Sequence, residues 1–215
     1  MNVLVISDLH EPFAHKKALQ HCKDTFKKYK CNKVVFLGDI IDNASTTHFD
    51  TNPDGMSPLD ELNAAREALK PWYKAFPKAT VCIGNHEQRL LKKLKHAGVT
   101  QEWFKAFNEV LQVPNWEFVS EVIIDDVRYF HGEGCASTIQ SIYQSPRSIV
   151  FGHFHSRFEL LFNNGKFGIC AGWLADQEAY AFDYAKATIK KGILGCAVVL
   201  DNGTQPILVP LLTKD

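Results

Sequence analysis

The sequence predicts an α/β fold in which two mixed β-sheets pack face to face and helices cover their outer faces. Strand and helix signals alternate over the first half of the chain, whereas closely spaced strands with hairpin turns follow one another from about Trp116. Alternation is typical of parallel strands joined by helices, and hairpins are typical of antiparallel pairs. Both patterns in one chain favour two mixed sheets in a layered structure.

Three short apolar runs in the first half read as buried strands. They are Val3 to Ile6, Lys33 to Leu37 and Thr80 to Ile83. Apolar residues recur every three or four positions from Ala18 to Tyr29, which predicts an amphipathic helix packed on a sheet. Each predicted strand should therefore lie inside the protein, with its following loop at the end of a sheet.

End signals define the other predicted helices. Ser57 is a typical N-cap and Pro58 a typical first helical residue, so a helix should start there and continue until Pro71 bends or stops it. Two further helices are predicted, Glu87 to His96 and Gln101 to Leu111.

The second half is predicted to consist mainly of strands joined by tight turns. The turn signals are Asp125-Asp126, Asn163 to Gly165 and Asp201 to Gly203. The predicted strands are Glu117 to Ile124, Val127 to Phe130, Ser148 to Phe151, Phe158 to Phe162, Phe167 to Cys170 and Leu194 to Leu200. The irregular stretch Asn43 to Met56 directly follows a polar motif and is expected to form a rim loop of the site.

Composition limits the classes of function. A chain of 215 residues with 46% hydrophobic residues is expected to be a single domain, residues 1–215. Lysine plus arginine total 24, as do aspartate plus glutamate, so bulk charge does not favour nucleic acid or an anionic membrane. No apolar run reaches the about 20 residues of a membrane span, and the amino terminus lacks a basic region before a long apolar run. A cytoplasmic protein without membrane contact is expected.

The six cysteines include no Cys-x-x-Cys pair and lie mostly in apolar segments. This pattern favours reduced thiols in the core over a disulfide framework or a zinc-thiolate site.

Five short motifs place metal-binding side chains at turns. Three of them directly follow predicted buried strands, where open α/β sheets place their sites. The motifs are Asp8-Leu9-His10, Gly38-Asp39-Ile40-Ile41-Asp42, Gly84-Asn85-His86-Glu87, His131-Gly132 and Gly152-His153-Phe154-His155. Together they can hold two divalent cations.

The donor types indicate which ions and which reaction to expect. Carboxylates, imidazoles and an amide favour Mn²⁺, Fe²⁺, Zn²⁺ or Ni²⁺, with Mg²⁺ less favoured because imidazole suits it poorly. Manganese is the expected ion. Two such ions about 3.5 to 4 Å apart need a bridging anion, and Asp39 at a strand end is the candidate. The remaining positive charge attracts phosphate and lowers the pKa of bound water, which predicts phosphoester hydrolysis.

With these motifs the chain resembles the calcineurin-like metallophosphoesterase superfamily. The family pattern is D-x-H, G-D-x-x-D/N, G-N-H-E/D, H and G-H-x-H, and all five blocks occur in this order between Asp8 and His155. The resemblance implies a four-layer α/β/β/α sandwich. It also implies that Asp8, His10 and His155 hold one metal, that Asn85, His131 and His153 hold the other, and that Asp39 bridges both.

The resemblance assigns a catalytic role to His86, which would face the substrate while a metal-bound hydroxide attacks phosphorus in line. Asp42 is expected to orient a ligand histidine or a water. Glu87 either caps the following helix or, like Asp42, contacts and orients a residue that binds metal. Arg89 either reaches a second phosphate or forms an exposed salt bridge, which is the commoner use of such an arginine.

Other polar and aromatic residues have alternative interpretations. Trp173 can stack on a base or sugar, although buried packing is the commoner use of tryptophan. The lysines at positions 92, 93 and 95 form either a basic ridge or a solvated helix face, and His48 can line the pocket. His15, His21 and His96 are expected at the surface.

Three functions are compatible with the sequence. The favoured one is a phosphodiesterase or phosphatase acting on a nucleotide or another small phosphoester. The second is a DNA or RNA nuclease, which the neutral net charge disfavours. The third is a noncatalytic interaction scaffold, like a retromer subunit of this fold that lost catalytic residues, and the intact His86 argues against it.

Overall fold

The computed structural model of the chain describes residues 1–47, 53–185 and 192–212. Its strands are β1 (Val3–Ile6), β2 (Lys33–Phe36), β3 (Ala79–Cys82), β4 (Trp116–Val119), β5 (Glu121–Ile124), β6 (Val127–Phe130), β7 (Ser148–Phe151), β8 (Phe158–Asn163), β9 (Lys166–Ala171), β10 (Gly195–Leu200) and β11 (Gln205–Pro210). The α-helices are α1 (Ala18–Lys28), α2 (Pro58–Ala75), α3 (Asn85–His96), α4 (Phe107–Val110) and α5 (Thr138–Gln144).

The strands form two mixed sheets, as predicted. The first has the order β11-β10-β1-β2-β3-β4, and the second has the order β5-β6-β7-β9-β8. Strands β1 to β4 are parallel to one another, and so are β6, β7 and β9. The hairpins β8-β9 and β10-β11 turn at the predicted Asn-Gly signals. The loops after the parallel strands consequently leave each sheet at one end.

Buried side chains divide the fold into four layers. Successive residues of β1 point to opposite faces: Leu4 and Ile6 pack toward α1 and α2, and Val3 and Val5 pack into the space between the sheets. From the second sheet, side chains such as Tyr129 fill the same inter-sheet space. The α/β/β/α sandwich implied by the resemblance is therefore confirmed.

The second sheet has its own outer core. Ile142 of α5 packs with Ile149 of β7 and Cys170 of β9 on the face away from the first sheet. Helix α5 was not predicted from the sequence, and neither was strand β11. The apolar positions of α5 span only seven residues, which is too short for a clear helical period.

Helix α2 begins as predicted but does not stop at Pro71. The Ser57 hydroxyl accepts a hydrogen bond from the Asp60 N–H at 3.3 Å, and the helix then continues to Ala75. Proline removes one helical hydrogen bond, at a cost of about 3 kcal/mol. Leu69 and Trp72, which flank it, are both buried in the core, and their burial offsets this cost.

The predicted helix over Gln101 to Leu111 is wrong as one continuous element. A 3-10 turn spans Gln101–Trp103, and α4 begins only at Phe107 after extended backbone at Phe104 and Ala106. Trp103 is 80% exposed, so this part of the chain offers no continuous apolar face that packing could stabilise as a helix.

The predicted strand Glu117 to Ile124 is two strands in different sheets. Strand β4 pairs in parallel with β3 at the edge of the first sheet, and β5 pairs with β6 in the second. The chain changes sheets at Ser120, which lies between them. The strand signal is continuous in sequence, so only the choice of pairing partner separates the two strands.

The six cysteines form no disulfide, and all except Cys135 are buried. This agrees with the predicted core role. Within the described residues, no helix combines the length and the apolar character needed to cross a membrane.

Candidate metal centre

Five loops meet where the parallel strands of both sheets end. They follow β1, β2 and β3 in the first sheet and β6 and β7 in the second. Each carries one of the predicted motifs. The fold thus brings together side chains that are far apart in sequence, such as those of His10 and His155, which are separated by 145 positions.

The first group of candidate ligands consists of Asp8, His10 and His155. Nε2 of His155 lies 3.1 Å from Nε2 of His10 and 3.4 Å from Oδ1 of Asp8. The remaining pair, Nε2 of His10 and Oδ1 of Asp8, is 3.9 Å apart. Three donor atoms of the predicted types therefore converge on one point.

The second group consists of Asp39, His131 and His153, with Asn85 beside it. Nε2 of His131 lies 3.2 Å from Oδ2 of Asp39, 3.2 Å from Nδ1 of His153 and 2.8 Å from Oδ1 of Asn85. The seven predicted ligands thus lie close together in two groups, and metal binding by each of them stays a prediction. A bridging position of Asp39 between the two groups stays a prediction.

The hydrogen bonds of two histidines direct Nε2 of each ring into its ligand group. Nδ1 of His131 lies 2.8 Å from the carbonyl oxygen of Leu37, which can only accept, so the proton of the neutral ring is on Nδ1. Nδ1 of His10 lies 2.6 Å from the carboxylate of Asp42 and is a donor for the same reason. In the neutral form of both rings Nε2 is then the unprotonated nitrogen, as a metal ligand must be.

A third cluster of possible ligands, His10, Asp42 and His86, is better described as a hydrogen-bond network. It uses Nδ1 of His10, the nitrogen that donates to Asp42, whereas the free nitrogen of that ring faces His155. The predicted orienting role of Asp42 fits this geometry, since its carboxylate also lies 3.3 Å from Nδ1 of His86.

Four candidate ligands have left-handed backbone conformations. The φ angles are 50° for Asp8, 52° for His10, 48° for Asp39 and 68° for His153. Non-glycine residues adopt this region rarely, although Asp and His tolerate it better than most, and each instance costs on the order of 1 kcal/mol or more. Such strain concentrates at sites where side chains must be aimed at a common point.

Two glycines allow the loops to approach closely. A Cβ atom on Gly84 would lie 2.5 Å from the backbone nitrogen of Asp39 and even closer to its carboxylate. On Gly152 it would collide with the side chains of Ser7 and Asp8. Only glycine permits these contacts, because any side chain would push a ligand loop outward.

Buried carboxylates make the centre electrostatically favourable for cations. Burial alone would lower the pKa of His131, but Asp39, Asp8 and Glu87 raise it to about 10. Burial alone would raise the pKa of Asp39. The neighbouring histidines His86 and His131 lower it, and the resulting pKa is well below its usual value. The negative carboxylates that favour the protonated form of His131 would also attract a divalent cation.

Glu87 connects two of the ligand loops. Its carboxylate accepts hydrogen bonds from the backbone N–H groups of Gly84 at 2.7 Å, Asp39 at 2.9 Å and Ile40 at 2.8 Å, with Ile41 at 3.3 Å. The capping alternative from the sequence is therefore observed, because the Gly84 contact caps α3. The contacts with residues 39–41 additionally fix the loop that carries Asp39. Burial and the charge of Asp39 raise the pKa of Glu87 to about 7.

His86 is buried between the carboxylates and Arg89. Its backbone N–H donates to Oδ1 of Asp39 at 2.9 Å, and its Nδ1 lies 2.6 Å from the carbonyl oxygen of Asp42. Burial lowers the pKa of His86, but the carboxylates of Asp39 and Asp42 raise it above its ordinary value. The ring is thus held in place beside the first ligand group, 4.5 Å from the ring of His10.

Among the described residues Arg89 does not form the exposed salt bridge that was one of its two expected roles, and its contact with a phosphate stays a prediction. Its guanidinium group donates to the carbonyl oxygens of Asp42 at 2.9 Å and Asn43 at 3.3 Å and contacts Nε2 of His86 at 2.7 Å. No carboxylate pairs with it among the described residues. Arg89 therefore acts on the position and charge of His86, which no spacing in the sequence indicated.

Trp173 is buried and stacks on the ring of His155, so the packing alternative describes it better than an open stacking surface. Ser7, which the sequence did not single out, donates to the carboxylate of Asp8. In the predicted rim loop, Asn43 donates to the backbone of His86 at 2.9 Å. His48 lies outside the described residues. Of the histidines expected at the surface, His96 is exposed, and His15 and His21 are partly buried.

Two mixed sheets with groups of His and Asp donors at their strand ends define a class of α/β proteins that can bind divalent metal ions. The sequence model described as calcineurin-like phosphoesterase matches residues 1–177, which include all five motifs. The chain therefore belongs to the calcineurin-like phosphoesterase family. A search of curated proteins found no match.

Several solved structures resemble the chain along most of its length. Vacuolar protein sorting 29 from Cryptosporidium parvum is 14% identical, with 99% of this chain and 98% of that chain covered and a TM-score of 0.49. The phosphoesterase YfcE from E. coli is 15% identical, with 94% and 89% covered and a TM-score of 0.43. The nuclease MPE from Pseudomonas putida is 13% identical, with 97% and 87% covered and a TM-score of 0.45. At these values the likenesses carry no conclusion about activity.

Proposed function

We propose that this chain is a dimetal-dependent phosphodiesterase or phosphatase that acts on a nucleotide or another small phosphoester. The observation that carries the proposal is the convergence of the two ligand groups, one around His155 and one around His131, each with ring nitrogens 3.1 to 3.2 Å apart. Two unprotonated imidazole nitrogens at this distance repel each other unless a proton or a cation lies between them.

The residues present fit two divalent ions. Asp8, His10 and His155 would hold one, Asn85, His131 and His153 the other, and Asp39 would bridge them. The bound ions would supply positive charge for the phosphate and a water of lowered pKa. Manganese suits this mixture of carboxylate, imidazole and amide donors, and Fe²⁺, Zn²⁺, Ni²⁺ and Mg²⁺ are tested beside it.

The protein residues position the ions and the substrate. Asp42 and the Leu37 carbonyl fix the tautomers of His10 and His131. His86, adjacent to the first ligand group, would stabilise phosphoryl charge or assist the leaving oxygen. A small ester is favoured over nucleic acid because two of the three lysines of the predicted basic ridge are engaged: Lys92 pairs with Glu133 at 3.0 Å, and Lys93 donates to the backbone of Thr47 at 3.2 Å.

The proposal is tested by metal reconstitution followed by a substrate screen. Metal-free protein is loaded with each ion, bound ions per chain are counted by elemental analysis, and hydrolysis is measured for a nitrophenyl phosphate monoester, the bis(nitrophenyl) diester, cyclic nucleotides and single- and double-stranded DNA. We expect two ions per chain and the fastest turnover with a small ester.

Asp39→Asn is the decisive variant, and Asp126→Asn is its matched control. Both aspartates have left-handed backbone conformations, with φ of 48° and 58°, but the Asp126 side chain is 81% exposed. Asp39→Asn should lower turnover by a factor of about 100 or more, since a neutral amide cannot bridge two cations as a carboxylate does. DNA cleavage as fast as that of the small diester would instead support a nuclease. Fewer than two ions and no hydrolysis would support a scaffold.

A further inference from the structure

We propose that Trp173 is a positioning residue that holds the imidazole of His155 in its metal-binding orientation. The proposal rests on the proposed function, because it takes His155 to be a metal ligand. Metal-binding histidines generally need a contact that fixes the ring, usually a hydrogen bond from the nitrogen that does not bind metal. In this protein the stacked indole takes the place of that hydrogen bond.

Of the other three candidate ligand histidines, His10 and His131 have rings fixed by a hydrogen bond from the nitrogen that does not face the ligand group. Nδ1 of His10 donates to Asp42 and Nδ1 of His131 to the carbonyl of Leu37. His153 presents Nδ1, the ring nitrogen nearest its own backbone, and its backbone N–H donates to Asp8 at 3.1 Å. His155 presents Nε2, and no hydrogen bond among the described residues involves its Nδ1. Its ring is also 25% exposed, so it requires some other constraint.

The indole of Trp173 supplies that constraint. Its ring lies parallel to the His155 ring, with an interplanar angle of 16° and a centroid distance of 4.5 Å. Trp173 is itself only 4% exposed and cannot move aside freely. Phe182 packs edge-on against it at 5.1 Å and also contacts the ring of His10 at 5.4 Å. The aromatic residues therefore support both histidines of the first ligand group.

Backbone hydrogen bonds fix the positions of the two stacked residues, His155 and Trp173, relative to each other. The N–H of Ile193 donates to the carbonyl of His155 at 2.9 Å, and the N–H of Trp173 donates to the carbonyl of Ile193 at 3.2 Å. Gly195 then donates to the carbonyl of Trp173 at 3.1 Å. A single segment before β10 thus joins the loop of His155 to the loop of Trp173.

Gly192 makes room for the indole. A Cβ atom at this position would collide with Nε1 and Cε2 of the Trp173 ring. An alanine there must displace the ring or shift the backbone. The indole position is consequently sensitive to one methyl group outside the ligand set.

The flat ring, and not its hydrogen-bonding group, is the useful part of Trp173. Nε1 is buried and has no hydrogen-bond partner among the described residues. An unpaired buried donor is unfavourable, so the N–H contributes nothing that phenylalanine would lose. Phenylalanine also offers a flat face for the stack, which makes Trp173→Phe the conservative variant.

The first test is metal stoichiometry in the full chain. With Mn²⁺ at a concentration that fills both sites of the wild type, we expect Trp173→Ala to retain one ion per chain and to bind the other at least tenfold more weakly. Trp173→Phe should retain both ions. Trp116→Ala is the matched control, because Trp116 is equally buried but packs against Phe36 in the core behind the first sheet and donates to the Phe76 carbonyl. It should lose thermal stability and still bind two ions.

The second test uses indole emission and does not depend on activity. Binding of Co²⁺, which quenches indole emission at short range, should quench Trp173 in the wild type and in Trp116→Phe, and this quenching should be lost in Trp173→Phe. Gly192→Ala keeps the indole but displaces it. It should weaken the binding of one ion, as Trp173→Ala does.

The two proposals fail in different ways. If the wild type binds fewer than two ions, the proposed function is contradicted. If the wild type binds two ions and hydrolyses esters, while Trp173→Ala and Gly192→Ala bind both ions with wild-type affinity, the positioning role of Trp173 is overturned and the proposed function stands. Unchanged quenching in Trp173→Phe would likewise overturn the positioning role, because the quenched indole would then be a different one.

Discussion

The guanidinium group of Arg89 lies 2.7 Å from Nε2 of His86, on the side of the ring opposite the hydrogen bond from Nδ1 to the Asp42 carbonyl. Arginine only donates, so in this geometry Nε2 accepts and the ring is neutral with its proton on Nδ1. A proton on Nε2 and the hydrogen bond with Arg89 exclude each other. If His86 assists the leaving oxygen as proposed, it does so together with Arg89 and not alone.

The first prediction concerns this pair. His86→Ala should slow esters with poor leaving groups by a factor of about 100 and nitrophenyl esters less, since nitrophenolate hardly needs a proton. If Arg89 acts through His86, Arg89→Ala should have the same selectivity and the double variant should be no slower than His86→Ala. The measurement is turnover against leaving-group pKa. Fully additive effects would contradict a joint role.

Arg66→Ala is the control for the loss of an arginine. Its guanidinium also donates to a backbone carbonyl, that of Val110 at 2.7 Å, but belongs to helix α2. It should leave the leaving-group dependence unchanged.

The second prediction concerns the division of the ligands into two sites. His10→Ala should weaken the binding of one ion, and Asn85→Ala should weaken the binding of the other. Each affinity should fall by a factor of about 10 to 100 or more, because each substitution removes a donor from only one group. Calorimetric titration with Mn²⁺ should resolve which site is lost. His96→Ala, at an exposed position of α3, should bind both ions normally. Loss of both ions in either single variant would show that the two groups are not separate sites.

The third prediction follows from the pKa of His131, which the surrounding carboxylates raise to about 10. At pH 8 the metal-free ring carries a proton that an ion must displace, so binding should release about one proton and weaken as the pH falls. Titrations in buffers of different ionisation enthalpy measure this release. His131→Ala should remove it, and metal binding without proton release in the wild type would contradict the prediction.

The raised pKa of His131 also makes the stability of the metal-free protein depend on pH. Because the folded-state pKa of His131 lies above the ordinary value of 6.5, its stabilising contribution is complete below pH 6.5 and is lost as the pH rises toward 10. Urea unfolding of metal-free protein between pH 7 and 10 should therefore show falling stability, and His131→Ala should flatten this dependence.

The fourth prediction separates stability from metal binding. Glu87 and Glu61 are both buried, and both accept backbone hydrogen bonds, Glu87 from the ligand loops and Glu61 from Ala44 and Ser45. Replacing either by alanine leaves buried N–H groups unpaired and should cost about 3 kcal/mol in urea unfolding. Only Glu87→Ala should also weaken metal binding, by about tenfold, because it releases the Asp39 loop. Equal metal affinity in the two variants would contradict this.

Local patterns were sufficient to predict most of the strands and the polar motifs at their ends. Val3 to Ile6 is a strand because its four apolar residues are buried on both faces of the sheet, and the polar residues that follow must leave the core. The chemistry of Asp8, His10 and the other motifs was recognisable because their side chains are the donors that divalent ions prefer. Periodicity and residue type are local properties, and the sequence displays them directly.

Packing overrode local signals at several places. Pro71 did not end α2 because Trp72 is buried beside it, and the exposed Trp103 could not support the helix expected around it. The strand signal from Glu117 to Ile124 could not show that the chain changes sheets at Ser120, because strand pairing depends on partners distant in sequence.

The sequence by itself determined which donors this protein carries, in what order, and at which strand ends. Only the tertiary structure decided how those donors face one another: that Arg89 contacts His86, that Glu87 holds the Asp39 loop, and that Trp173 stacks on His155. The physical reason is that residue type and spacing fix backbone conformation over a few residues. The distance between side chains on separate loops depends instead on how two sheets pack, to which every core residue contributes.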